Sequence, residues 1–148
     1  MTQNLTNFLN GAKNKEYATT AGTKTHKLLQ NVVVDSTRII GDKNITEIII
    51  NRPDLKPFFS AHAKTEVPIA ANINGHFISR RIDRLAINHD LKTIDFIDYK
   101  TDTDKSAFIN QYKSQIKEYA QILHSAYPSY KITGYILWLH DWSLDKII

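Results

Sequence analysis

The sequence predicts an α/β protein, a central mixed four-stranded sheet flanked by helices with the element order αβββαβ. Three observations carry that reading. Residues 64–100 hold three runs with strand-like patterning, and the first two are joined by Asn74-Gly75, whose positions both suit the φ > 0 of a two-residue hairpin. Residues 105–127 repeat apolar side chains every three or four positions, the period of an amphipathic helix. Tyr130 to Leu139 then reads as a buried strand. Strand, helix, strand in succession implies a right-handed crossover that sets the last strand parallel to the third.

Taken in order, residues 1–20 are polar, rich in Asn and Thr, and read as a loose or partly helical arm, with residues 21–148 as a single domain. Ala21 to Val34 reads as a helix begun near Thr23 or Thr25, either of which suits an N-cap. His26 lies in its first turn, where a histidine serves as a surface residue, a core residue or a ligand. Residues 36–60 read as helical pieces capped by Ser36 or Asp42, with a stripe of Ile45, Ile48 and Ile49, breaks at Pro53 and Pro57, and an anchor at Phe58-Phe59. The meander follows as Lys64–Ile73, Phe77–Ile87 and Thr93–Lys100, and Pro68 marks its first strand as an edge. Asp104 is the expected N-cap of the long helix, whose stripe runs Phe108, Ile109, Tyr112, Ile116, Tyr119, Leu123, Ala126. Gln115 and Tyr119, four apart, lie one above the other beside that stripe, as boundary and core residues or as parts of a site. Pro128 ends the helix, and Trp138 and Trp142 read as packing.

Composition narrows the function. The 148 residues suit one domain, and hydrophobic and charged contents of 42% and 23% suit a soluble one. No apolar run approaches the roughly 20 residues of a transmembrane helix, and no signal peptide opens the chain, so a cytoplasmic protein is expected. With no cysteine there is no disulfide, zinc-thiolate or iron–sulfur site, so any metal is held by oxygen and imidazole. The net charge of +4 permits an anionic partner such as nucleic acid. No phosphate loop is present, which excludes an ATP-driven motor within this chain.

The chemistry gathers in the meander. In Ile94 to Lys100 the alternation puts Ile94, Phe96, Asp98 and Lys100 on one face and Asp95, Ile97 and Tyr99 on the other. A turn centred between Asp90 and Leu91 sets Asp83 opposite Asp98, and the Asn74-Gly75 turn sets Glu66 opposite Asp83. The three carboxylates then form a row across three strands, with opposed Cβ atoms roughly 5 Å apart. A one-residue slip would destroy it. Unit charges about 4 Å apart repel by roughly 4 kcal/mol at an effective dielectric near 20, so a cation belongs among them. Lys100, Arg80, Arg81 and Arg84 supply it as a structural ion-pair network, or a hard divalent cation does so with oxygen ligands.

These parts together resemble the PD-(D/E)XK nuclease superfamily, with its restriction-endonuclease-like αβββαβ core, and within it the RecB/AddA-type nuclease domain of bacterial double-strand-break repair helicase–nucleases. Gly22-Thr-Lys-Thr-His26 looks like that branch's glycine-and-histidine helix motif, and Glu66-Val-Pro-Ile like its first-strand motif. Ile82-Asp83-Arg84-Leu85 and Asp98-Tyr99-Lys100-Thr101 look like its two acidic motifs. Gln115-Ile-Lys-Glu-Tyr119 resembles its QxxxY motif, and Tyr127-Pro128 with Ile136-Leu137-Trp138 is similar to the AddA tail. The likeness spans residues 21–140. Ile82 stands where the superfamily name has proline, as is common in this branch, and the lack of cysteine separates the chain from the iron–sulfur relatives.

The resemblance implies a metal-dependent deoxyribonuclease of exonuclease type in DNA recombination and repair. His26, Asp83, Asp98 and the Tyr99 carbonyl would bind Mg²⁺ or Mn²⁺. Lys100 would orient or deprotonate the attacking water, with Gln115 and Tyr119 in support. Glu66 would be an outer carboxylate or a partner of Arg81 or Arg84. Lys24, Lys27, Lys105, Lys113 and Lys117 are the candidate phosphate contacts. A helicase subunit or domain is the implied partner, without which processive degradation of a duplex is not expected.

Overall fold

The computed structural model describes residues 24–148. The expected arm over residues 1–20, and Gly22 of the helix motif, lie outside them. Helix α1 covers residues 24–30 and does not continue to Val34 as predicted. Val32 N–H closes a turn on Leu29 O at 3.2 Å, and Val33–Val34 (β1) pairs antiparallel with Ile39–Ile40 (β2). The β-branched run Val32-Val33-Val34 favours a strand over a helix. Asp35 turns the chain between the two, its Oδ1 accepting from Thr37 N, Thr37 Oγ1 and Arg38 N. The ribbon also replaces the first of the helical pieces expected over residues 36–60. Asp42 caps α2 (Lys43–Ile50) by accepting from Ile45 N at 3.1 Å, and α3 (Lys56–Phe59) buries Phe58 and Phe59.

Three strands follow: β3 Lys64–Ile73, β4 His76–Asn88 and β5 Thr93–Lys100. Asn74 at φ 50° and Gly75 at φ 80° make the predicted turn. Ile73 pairs with His76 and Arg84 with Ile97, which are the two registers the turns dictate. Helix α4, Lys105–Ala126, begins on Asp104, whose side chain accepts from Ala107 N, and leads to β6 (Lys131–Trp138), parallel to β5. A fifth strand corrects the expected count of four: β7 (Ser143–Lys146) lies antiparallel on β6. With only four residues it shows no period of its own; the turn before it, with Trp142 at φ 60°, creates it. The order β3-β4-β5-β6-β7 leaves the strand of Pro68 at an edge.

Helices cover both faces of this sheet. Ile94 and Phe96 pack with Ile116, Tyr119 and Leu123 of α4, whereas Ile97 and Tyr99 pack with Leu29, Val32 and Phe59 of the α1–α3 side. Strand β5 is therefore buried from both sides, as its near-continuous apolar run requires. At Gly134 of β6 a Cβ would stand 2.6 Å from both Ile116 Cγ2 and Phe96 Cζ, so glycine is what lets α4 approach this closely. The buried stripe of α4 departs from expectation at both ends: Phe108 is exposed and stacks on Tyr112, while towards the C-terminus Ala126 is exposed and Ile122 is buried. Among the described residues no helix is long and apolar enough to cross a membrane.

Candidate active site

Regular alternation would put Ile82 and Arg84 on one face of β4. They face opposite ways. Ile82 packs in the core under α4, whereas Arg84 reaches Leu29, Val32 and Phe58 on the other side. The change of face falls at Asp83, and across from it Glu66 takes a left-handed φ of 50°, a conformation costing a non-glycine residue about 1–2 kcal/mol. Thr65 pairs with Arg84 and Val67 with Ile82, so the register holds while the Glu66–Asp83 step drops out of the ladder. The β4–β5 ladder likewise stops at Arg84 and Ile97, one step short of Asp83 and Asp98. In its place Asp83 Oδ2 accepts from Tyr99 N at 2.7 Å. The expected row thus becomes a close pair, Asp83 and Asp98, while Glu66 turns to Arg81, its Oε2 3.8 Å from Nη1.

Both aspartates are less than a tenth exposed. Burial first, then the neighbouring Asp98 charge, push the Asp83 pKa well above the usual carboxylate range. Lys100 brings the cation this demands, with Nζ 2.8 Å from Asp98 Oδ2. That oxygen is ion-paired with Lys100 and takes no hydrogen bond. Lysine only donates, so Gln115 presents Oε1 to Nζ at 2.8 Å, which leaves Nε2 to donate to the Tyr119 hydroxyl, also at 2.8 Å. Burial pushes the Tyr119 pKa up to about 12 and keeps it neutral. The sequence-predicted Lys100, Gln115 and Tyr119 therefore form one chain from Asp98. Tyr112 belongs with them, its ring centroid 4.1 Å from Lys100 Nζ. It keeps its predicted place in the apolar stripe, half-buried against the core, and its spacing of three from Gln115 sets both beside Lys100.

His26 comes to this end of the sheet from α1, its ring 5.4 Å from that of Tyr99, centroid to centroid. Among the described residues, the buried side-chain atoms without a hydrogen-bond partner are His26 Nε2 and Asp98 Oδ2. Buried polar atoms are normally satisfied; His26 Nε2 has no hydrogen-bond partner, Asp98 Oδ2 has only its ion pair with Lys100, and both belong to ligand-type residues. Tyr99 N–H points toward Asp83, and in a strand the carbonyl of a residue leaves on the side of its own N–H, so the Tyr99 carbonyl faces the same way. Among the described residues no three His, Asp or Glu side chains are drawn together closely enough to close around an ion unaided. The donor chemistry fits one all the same: an imidazole nitrogen, two carboxylates and a carbonyl, with no thiolate, suit a hard divalent cation such as Mg²⁺ or Mn²⁺.

The expected phosphate contacts scatter. Lys24 and Lys27 are exposed on α1, and Lys113 is exposed on α4, two residues from Gln115. Lys117 lines a surface hollow with His124, Tyr130 and Lys131 at the start of β6, the end of the sheet away from Asp98. Lys105 is already engaged, 2.9 Å from Asp141 Oδ2 and donating to Ser143 Oγ. Comparison with protein-family models finds none that matches the chain, and comparison with curated proteins finds no match either.

Proposed function

We propose that the chain is a metal-dependent deoxyribonuclease of exonuclease type, serving DNA recombination and double-strand-break repair in the cytoplasm beside a helicase partner. One observation supports this above the rest. Among the described residues, the two buried side-chain atoms without a hydrogen-bond partner belong to His26, ring to ring with Tyr99 at 5.4 Å, and to Asp98, next to Tyr99 in the chain and paired with Lys100. A divalent ion held there by His26, Asp83, Asp98 and the Tyr99 carbonyl would polarise a phosphodiester and lower the pKa of a bound water.

The remaining roles fall to the protein's own groups. Lys100, fixed by Gln115, steers or deprotonates the attacking water and offsets phosphate charge. Tyr119 holds the Gln115 amide in the orientation that receives Lys100. Water adds to phosphorus, the P–O bond to the leaving sugar breaks, and a phosphomonoester and a free hydroxyl result. Exposed Lys24, Lys27, Lys113 and Lys117 contact backbone phosphates, which makes binding salt-dependent and indifferent to sequence. The test is cleavage of linear and circular, single- and double-stranded DNA with Mg²⁺ or Mn²⁺ against EDTA, beside Asp98→Ala. Metal-dependent cutting of linear but not circular DNA, absent in the variant, is expected. The run from Asp98 through Lys100 and Gln115 to Tyr119 favours one other reading, a nuclease fold retained only to bind DNA. Binding without cutting by the wild-type chain would establish that instead.

A further inference from the structure

Arg84 is 1% exposed, and its hydrogen bonds include no carboxylate. A buried charge without a counter-ion is costly, so its neighbours have to stand in for one. Nη2 donates to Leu29 O and to Val32 O at 3.0 Å, at the C-terminal end of α1; Nη1 donates to Phe58 O at 3.2 Å. Leu29 O belongs to the last turn of α1, Val32 O to the turn that follows it and Phe58 O to the single turn of α3, so the guanidinium faces the partial negative charges of these carbonyls. Nε donates to the Tyr99 hydroxyl at 3.1 Å, and the guanidinium lies 4.3 Å from the Phe59 ring centroid. The same tyrosine also lies against His26, ring to ring at 5.4 Å. One side chain therefore ties the end of the helix that bears His26 to the strand that bears Asp98, from the residue next to Asp83.

We propose that Arg84 is a positioning residue for the metal centre: by clamping the end of α1 and the Tyr99 hydroxyl, it holds the His26 imidazole where its Nε2 can join Asp83 and Asp98. The inference rests on the proposed metal site and adds to it a residue that touches neither metal nor DNA. The Arg84 fork is matched to three carbonyls and a hydroxyl at once; a lysine in its place keeps the charge and loses that geometry. Loss of a group that orients a ligand costs roughly 10–100-fold in metal affinity.

The test is Mn²⁺ titration by calorimetry on the full chain and on Arg84→Lys, His26→Ala and the double variant, each shown to be folded by circular dichroism. Arg84→Lys is expected to weaken Mn²⁺ binding roughly tenfold and to add nothing in the His26→Ala background, because it acts through that imidazole. Losses that multiply, or an Arg84→Lys affinity equal to wild type, overturn the inference and leave the metal site standing. Wild-type protein that binds no Mn²⁺ overturns the metal site itself, and the inference with it. Should Arg84→Lys not fold, Tyr99→Phe carries the test, since it keeps the ring and removes one of the clamp's acceptors; its loss of affinity is again confined to proteins that retain His26. A readout in the absence of metal is the ring-current shift of the His26 imidazole protons from Tyr99 in proton NMR. It is expected to change in Arg84→Lys, and an unchanged shift counts against the clamp.

Discussion

Asp83 serves two ends that oppose each other. Its carboxylate replaces a ladder bond by accepting from Tyr99 N, and it does so buried beside a second carboxylate that disfavours its charge. Asparagine at this position keeps an acceptor and removes the repulsion. Asp83→Asn is therefore expected to melt a few degrees above wild type in EDTA, since about 1 kcal/mol corresponds to roughly 2–4 °C for a chain of this size, while losing Mn²⁺ binding. A lower melting temperature would show that the charge stabilises the metal-free protein after all. The pair was legible in the sequence because two short turns fix two registers, and opposed residues follow from turn centres alone. Arg84 was not legible, because an arginine beside an aspartate reads as its salt-bridge partner. Only the change of face at Asp83 turns it toward α1.

Helix α4 reaches Lys100 because of what lies under it. Gly134 admits Ile116 and Phe96 where a Cβ would meet both at 2.6 Å. Overpacking of this kind costs about 1–3 kcal/mol, so Gly134→Ala is expected to lower the melting temperature and to slow cleavage by displacing Gln115, both read on one preparation. Wild-type stability in that variant would mean that the helix shifts freely.

The loop between β1 and β2 offers a pH test. Asp35 accepts from Thr37, Arg38 and Ala61, and these bonds, the Thr37 hydroxyl foremost, hold its pKa well below the usual range. A lowered folded pKa contributes stability above the unfolded value of about 4 and loses it as pH falls through the folded one. The melting-temperature gap between wild type and Asp35→Asn should therefore narrow below about pH 4; a gap that persists unchanged into acid would contradict this. The long elements, β3 to β5 and α4, were legible because each carries its own period over eight or more residues. The end of α1, the β1–β2 ribbon and β7 were not, since pieces of two to four residues are made by the turns beside them.

At the scale of the molecule, two helical layers enclose a sheet whose central strand delivers an acid and a lysine to one end, and the net charge of +4 favours an anionic partner. Four exposed lysines on phosphates would give log K against log salt a slope of about −3 to −4. DNA binding by Asp98→Ala should follow that slope equally for unrelated sequences, and a slope near zero would remove the lysines from the account. The structural and the catalytic readings of Lys100 part most sharply in its own removal. As a structural counter-ion, its loss strands buried carboxylates at a cost of roughly 3–5 kcal/mol; as a catalytic group, its loss spares the metal and stops the chemistry. The decisive measurement is the cleavage rate of linear DNA against Mn²⁺ concentration for Lys100→Ala beside wild type. Half-saturation at the same or a lower Mn²⁺ concentration with a maximal rate roughly 10²–10⁴-fold lower is expected of the variant, and a wild-type chain whose cleavage is absent or indifferent to Mn²⁺ would contradict the metal-dependent mechanism.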